Sequence, residues 1–325
     1  MGVVPSMTGN MNRKSMSSKE LESLVGLALK EAKALGADQA EVAASQDTGL
    51  SVTARLGDVE NLEFTNDRGF GVTVYKDNCK GSASTSDITP TAIREAVAKA
   101  YSFAKYTTED LNSSLADAEL MATKILDLDL DHHWDIDAEQ AITLAIKCEN
   151  AAMAHDKRIC NSEGATVNTN RGIRAYGNSH GFFGSAPKTS HGISCVVLAE
   201  QDGAKQRDYH YTSSRVPSEL EEVESVGIEA GRKTIARLGA RKIKTTAAPV
   251  LYVPSLARGF IGHAMSAISG NAQYRRSSFL LDAIGKKIFS DFVQVQERPH
   301  IPQGMLSCAY DGEGVATYDR DIIID

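Results

Sequence analysis

Three places in this 325-residue chain hold residue types that can do chemistry: Ser179 inside Gly177-Asn-Ser-His-Gly181, the pair His191 and Cys195, and His263 within Arg258–Ile268. The first matches the G-x-S-x-G pattern of serine hydrolases, which needs a strand before the serine and a helix after it. Arg174-Ala-Tyr176 can supply the strand, but Gly181-Phe-Phe-Gly-Ser-Ala-Pro187 cannot start a regular helix. The Gly- and Asn-rich segment therefore predicts a hairpin turn. His191 and Cys195 have i,i+4 spacing, but Gly192-Ile-Ser-Cys-Val-Val-Leu reads as a strand, where that spacing means roughly 13 Å, too far for one zinc ion. His263 is a lone imidazole on a helical run that continues through Ala264, Met265, Ala267 and Ile268. Zinc typically takes three protein ligands plus an open position. Facing a cleft, His263 could be a leftover ligand or a polar contact to a partner. A lone histidine on an apolar face is more commonly a half-buried helix residue with one hydrogen bond, which is the expectation here.

The other candidates are weaker. Gly69-Phe-Gly71 lacks the third glycine of a dinucleotide fingerprint and reads as a turn, and no Gly-Lys-Ser/Thr follows Gly312-Glu-Gly314. None of the eight histidines stands in His-Glu-x-x-His, and His132-His133 falls in an acidic stretch that predicts a solvated loop. The residues themselves thus nominate no catalytic group, no metal ligand and no cofactor-binding site.

Composition narrows the class. Hydrophobic residues at 42% and charged residues at 24% give the balance of a globular protein. A net charge of −7 and the lack of a long basic run argue against nucleic-acid binding. The five cysteines, Cys79, Cys148, Cys160, Cys195 and Cys308, form neither a disulfide framework nor a CxxC knuckle, as expected of free thiols in a cytoplasmic protein. No stretch approaches the ~18 apolar residues of a membrane span. The first 17 residues carry Arg13 and Lys14 but no apolar core, which predicts a flexible tail rather than a signal peptide, with Met7, Met11 or Met16 as possible starts.

The elements that must position any site follow from periodicity. A helix is expected near 18–35, with Ser17 and Glu20 at capping-box spacing and Leu21, Leu24, Val25, Ala28, Leu29 and Ala32 on one face. Short strands near 39–46, 49–56, 58–65, 69–75 and 79–85 are separated by Thr48-Gly49, Gly57-Asp58, Asn66-Asp67 and Asp77-Asn78. Alternation such as Leu50, Val52, Ala54, Leu56 marks an antiparallel meander. A helix at 90–106, an acidic connection at 108–136 with the single tryptophan Trp134, a helix at 138–155, strands over 158–214 and a helix at 217–238 complete the pattern. Helix, meander, helix thus occurs twice, predicting an α+β domain over 18–245. Ala248-Pro-Val-Leu-Tyr-Val253 then reads as a strand, Ser255 as the cap of the His263 helix, and 246–325 as the first, incomplete part of a β-rich C-terminal domain. Gly314–Asp325 reads as a strand that stops at its turn.

Around these elements the chain resembles the TldD/PmbA family, also called the gyrase-modulator family. The resemblance rests on Gly69-Phe-Gly-Val-Thr-Val-Tyr75, Lys80-Gly-Ser-Ala-Ser-Thr-Ser-Asp87, Tyr274-Arg-Arg-Ser-Ser-Phe-Leu-Leu-Asp282, Gly285-Lys-Lys-Ile288, Glu297-Arg-Pro-His300 and Asp311-Gly-Glu-Gly-Val315. These markers are similar to the PmbA (TldE) branch. The family's zinc peptidases carry His-Glu-x-x-x-His on the helix matching Arg258–Ile268, where this chain has Gly262, His263 and Ala267. The resemblance implies a cytoplasmic subunit without its own metal or cofactor. It would pair with a zinc-bearing TldD-like subunit, or form a homodimer alone, and the pair would process extended peptides such as modified antibacterial peptides or antitoxin proteins. It also implies that the chain is truncated at Asp325 relative to the family. Two other functions compete with that one. One is a stand-alone metallopeptidase with unconventional ligands (His263 with Glu297 or Asp311), and the other is a non-enzymatic peptide-binding module.

Overall fold

The computed structural model describes residues 16–323, in two compact units: the residues up to Gly239 with Arg298–Asp319, and Ala240–Glu297 with the residues from Arg320 onward. The tail expected over 1–17 lies, except for Met16 and Ser17, outside the described residues.

In the first unit one plan is used twice. Helix α1 (Ser18–Ala34), strands β1 (Gln39–Arg55), β2 (Asp58–Lys76) and β3 (Cys79–Thr85) and helix α2 (Pro90–Ala104) form one half. Helix α3 (Ala138–Ala154), strands β4 (Ile159–Asn178), β5 (Phe183–Gln201) and β6 (Ala204–Ser214) and helix α4 (Val223–Ala236) form the other. The strands make a single antiparallel sheet in the order β3-β2-β1-β4-β5-β6. Helix starts follow their sequence signals. Ser17 with Glu20 and Asp137 with Gln140 close reciprocal capping boxes, while Thr89 caps α2 ahead of Pro90.

Alternation sends one face of the sheet to the helices. Ala40, Val42 and Ala44 of β1 pack with Leu21, Val25, Ile93 and Val97 in one core. Farther along the same strand, Leu50, Val52 and Ala54 pack with Ala145, Cys148, Val226 and Ala230 in a second. Close approach replaces bulk at two contacts. A Cβ on Gly81 would stand 2.1 Å from the Ala100 carbonyl of α2, and one on Gly227 would stand 2.1 Å from the Cys148 carbonyl of α3.

A polar belt crosses the helix-facing side between the two cores. Its members Gln46, Arg171, His191 and Arg215 are hydrogen-bonded, as burial requires, whereas the buried Nε of Arg68, opposite Gln46, has no partner among the described residues. Gln46, 1% exposed, accepts from the Met16 N–H and donates to Asn66. Arg171 makes a two-pronged pair with Asp131, at 2.7 and 2.6 Å, which lowers the Asp131 pKa. His191 is 1% exposed, with Nδ1 2.9 Å from the Thr169 hydroxyl and Nε2 2.8 Å from the His132 carbonyl. These contacts suit a neutral ring that donates from Nε2 and accepts at Nδ1. Arg215, 4% exposed, donates to the carbonyls of Thr189, Gly304 and Met305, tying 298–319 back to the sheet.

Several local expectations are corrected. Thr48-Gly49 and Asn66-Asp67 are not turns: Thr48 pairs with Asn66 and Gly49 with Thr65 inside the long β1–β2 hairpin, and β4 continues the ladder on the other side of β1. Neighbouring strands satisfy those backbone groups, which overrides local turn propensity. Gly69-Phe-Gly71 likewise lies within β2, opposite Ser45 to Ala43. Leu56 leaves the strand at φ +52° and is exposed, in the turn with Gly57. The helix expected from 217 begins at Val223, after a 3-10 turn at Pro217–Glu219 and an extended Leu220. The acidic connection is not simply solvated. Leu115, Met121 and Leu128 are buried, His132 is half-buried, and Trp134 meets the His191 ring edge-on at 5.6 Å.

The second unit holds helix α5 (Pro254–Ile268), helix α6 (Gly270–Tyr274) and the antiparallel pair β7 (Val295–Glu297) and β8 (Arg320–Ile323). Residues 248–253 are not a strand, and the cap position of α5 is Val253, with Pro254 in the first turn in place of a Ser255 cap. The strand expected over Gly314–Asp325 is confined, among the described residues, to β8 and two isolated bridges, Met121 with Val315 and Tyr310 with Ala316. No helix of the described residues is long and apolar enough to cross a membrane.

Two stability outcomes follow. Glu149 of α3, 1% exposed, accepts from the Leu56 and Gly57 N–H groups and so holds the β1–β2 turn. Glu149→Ala should cost about 2 kcal/mol by leaving those donors unpaired, and Glu149→Gln less, both read as urea midpoints. Burial lowers the pKa of His191, so the unfolded chain takes up a proton that the native one does not. Its contribution is complete above the unfolded value of about 6.5 and is lost as pH falls below it. His191→Asn should therefore flatten the fall in urea midpoint between about pH 7.5 and about pH 5; an unchanged slope would contradict this.

Candidate functional site

The face of the sheet turned away from the helices carries the odd-numbered residues of β1 and their register partners. Across its first rows, Ser82, Thr73, Glu41 and Asn178 lie side by side, then Ser84, Gly71, Ala43, Tyr176 and Gly184. The next holds Gly69, Ser45, Arg174 and Ala186. Serine, threonine, glycine and alanine keep this surface low over β1 to β3, while Tyr310 lies over Gly184 and packs with Phe182 and Tyr176 on the β5 side. A cavity of about 410 Å³ opens on it, lined by Glu41, Thr73, Ser82, Ser84, Arg174 and Tyr176, with Ala43 and Gly71 also in the lining and Gly312 at its margin.

Glu41 is the fixed point of the cavity. Its Oε1 accepts from the Tyr75 hydroxyl and its Oε2 from the Tyr176 hydroxyl, each at 2.9 Å, one phenol from β2 and one from β4. Both rings are nearly buried, at 6% and 4% exposed. Burial first, and the neighbouring Glu41 charge as well, push both phenols well above their ordinary value, so they remain donors. Arg174, opposite Ser45, is exposed and makes no hydrogen bond or ion pair among the described residues. The site thus offers an anchored carboxylate, an unengaged guanidinium and several hydroxyls: a surface for holding a polar ligand. Sequence reasoning nominated none of these residues. They come from four strands, and the registers that join them are not written in local pattern.

The nominated residues lie elsewhere. Ser179 stands in the β4–β5 hairpin turn, with Gly181 at φ +86°, and β5 rather than a helix follows. Its Oγ accepts from the Ala40 N–H at 3.1 Å while its own N–H donates to the Ala40 carbonyl, so it fastens the hairpin to β1. No hydrogen bond joins it to a histidine among the described residues. His191 and Cys195 both lie on β5 on the helix side. The Cys195 thiol contacts Cys148 of α3, and that hydrogen bond together with burial pushes its pKa up, which suits packing rather than nucleophilic chemistry. Asp311 caps its own turn, accepting from the N–H groups of Glu313 and Val315.

In the second unit, α5 places Gly262 and His263 at the surface and buries Ala264 and Ala267. The half-buried position expected for His263 is thus corrected: Ala264 and Ala267 take the packed face and leave the imidazole on the other. A Cβ on Gly262 would meet nothing within 4 Å, so crowding does not dictate glycine there. The three positions supply one imidazole, a methyl group and no side chain, and among the described residues no three His, Cys, Asp or Glu gather where they could hold a metal. This donor set does not fit a three-ligand zinc site.

Comparison with known proteins gives this architecture a context. Three family models match in succession: PmbA/TldA metallopeptidase domain 1 over 40–104, the central domain over 131–238 and the C-terminal domain over 245–325. The chain is 45% identical over 307 residues to the metalloprotease PmbA of Escherichia coli O157:H7, covering 94% of this chain and 68% of that protein. It is 43% identical over 305 residues to a metalloprotease PmbA homolog of Haemophilus influenzae, covering 94% and 67%. Among solved structures, a protein described as a modulator of DNA gyrase from Bacteroides thetaiotaomicron superposes with a TM-score of 0.88 at 24% identity, covering 95% of this chain and 71% of that one. TldE from Thermococcus kodakarensis superposes with a TM-score of 0.72 at 18% identity, covering 93% and 67%. The chain belongs to the PmbA/TldD metallopeptidase family.

The phenols give a direct test of the cavity. Tyr75 and Tyr176, with Tyr310 raised by burial as well, should stay protonated when exposed tyrosines ionise near pH 10. Absorbance titration of the folded chain should therefore give the same phenolate signal below alkaline unfolding before and after Tyr176→Phe, because Tyr176 contributes none of it. A phenolate signal near pH 10 that shrinks on Tyr176→Phe with the fold intact would contradict the assigned contacts.

Proposed function

We propose that this PmbA/TldE-like chain is the non-metal subunit of a two-component peptidase, in which a TldD-like partner carries the zinc and hydrolyses extended peptides. The observation that carries the reading is the surface of α5, where the family's zinc-helix positions hold Gly262, His263 and Ala267. Activation of water by zinc requires a bound metal with an open position, and one exposed imidazole is too small a ligand set. Glu297, an alternative ligand in a stand-alone enzyme, pairs instead with Arg320 across the β7–β8 ladder. The remaining role is to contact peptide or support the partner, and the low, hydroxyl-lined sheet face suits contact with an extended chain. A cytoplasmic location accords with five free thiols.

The test is a comparison of the purified chain with the same chain co-expressed with a TldD-like subunit. Alone, it should hold less than stoichiometric zinc by elemental analysis and leave an unfolded peptide intact. The co-purified pair should cleave that peptide, and a chelator should abolish the cleavage. Stoichiometric zinc in the lone chain, with chelator-sensitive cleavage indifferent to His263→Ala, would overturn the proposal.

A further inference from the structure

We propose that the cavity on the open sheet face is a carboxylate-recognition site in which Arg174 pairs with the C-terminal carboxylate of an extended peptide; this rests on the peptide-processing reading above. The β1–β4 register sets Asn178, not Arg174, opposite Glu41. Arg174 lies four residues along β4, roughly 13 Å at the usual strand rise. Both Glu41 oxygens are already engaged by Tyr75 and Tyr176. Asp47, diagonal to Arg174 across the β1–β4 pair, makes no ion pair with it; its carboxylate lies over Gly172, 2.4 Å from where a Cβ would be. The guanidinium is therefore exposed, in a cavity, with its fork of donors unspent among the described residues.

The chemistry of the ligand follows from that fork. A planar guanidinium matches the two oxygens of a carboxylate in a two-pronged pair, stronger and more directional than a single hydrogen bond. The surroundings favour a main-chain terminus over a bulky group. Ser45, Gly69 and Ala186 share the Arg174 row, and a Cβ on Gly71 would meet nothing within 4 Å, so a ligand backbone can come close. Beyond the row of Asp67, Asp47, Gly172 and Lys188, the same sheet face continues into rows of short polar side chains, Asn170 and Ser190 beside Gly49 and then Asn168 beside Ser51. An extended chain anchored by its carboxylate has a surface to lie along; a small free acid would use only the anchor.

The experiment uses the full chain and a fluorescent, N-terminally labelled hexapeptide as free acid and as C-terminal amide, read by anisotropy, with unlabelled N-acetyl-alanine as competitor. The acid should bind at least tenfold tighter than the amide, the size expected of one charge-assisted pair. Arg174→Gln should bring acid and amide to the same weak affinity, and Arg174→Lys should retain part of the preference. Because Arg174 is exposed, unchanged circular dichroism and melting temperature are expected in both variants. Equal binding of acid and amide, an acid preference that survives Arg174→Gln, or no binding of either peptide would overturn the site. N-acetyl-alanine competing as well as the unlabelled hexapeptide acid would overturn the peptide as occupant. The co-expressed pair separates the two readings. Cleavage by the pair without an acid preference in the lone chain sinks only this site, whereas zinc-dependent cleavage by the lone chain sinks only the subunit assignment.

Discussion

The antiparallel pairing of β1 with β4 is the constraint on which the first unit depends. Each half, helix–meander–helix, would by itself leave the outer edge of its first strand with unmet backbone groups, which a buried sheet cannot tolerate. Joining those two edges, from Glu41 with Asn178 to Ala54 with Ala165, turns two three-stranded pieces into one sheet of six. The same register decides the faces. It brings Val52 and Val167 together under one pair of helices and Ala44 and Ala175 under the other. On the opposite side it brings Tyr176 of β4 to Glu41 of β1. A slip of one residue would exchange the two faces, so core and cavity stand or fall together.

Between the two cores the belt of Gln46, Arg171, His191 and Arg215 carries polar groups through the interior. A half-satisfied belt would be worse than an apolar one; here these side chains find carbonyls, hydroxyls or carboxylates. The connection that follows the first half is what completes it. Asp131 and the His132 carbonyl come from the acidic segment, and the carbonyls of Gly304 and Met305 from the late segment Arg298–Asp319. That is a physical reason for 298–319 to fold with residues far earlier in the chain.

Much of this was legible in the sequence, and the failures have a common cause. Helix starts carried by a side chain and a backbone N–H three residues apart were readable, as at Ser17 with Glu20. So were turns needing a left-handed residue, as at Asp77-Asn78, both with positive φ. The hairpin at Ser179 was readable too, because no helix could follow it. Thr48-Gly49 and Asn66-Asp67 misled because their composition favours a turn while strands on either side impose a ladder. The Glu41–Tyr75–Tyr176 group and Arg174 were invisible because their juxtaposition depends on strand registers between residues far apart in sequence, 34 positions for Glu41 with Tyr75 and 135 for Glu41 with Tyr176. The family markers and the composition of α5 were readable, but not that His263 faces outward.

The central claim is that the chemistry of the complex resides on the partner's zinc and not on α5 of this chain. Counting zinc in the co-purified pair tests it most directly, with His263→Ala introduced in this chain alone. One zinc ion per pair, unchanged by the substitution along with the rate of peptide cleavage, is the result this account predicts. Two zinc ions per pair, or loss of zinc on His263→Ala, would contradict it.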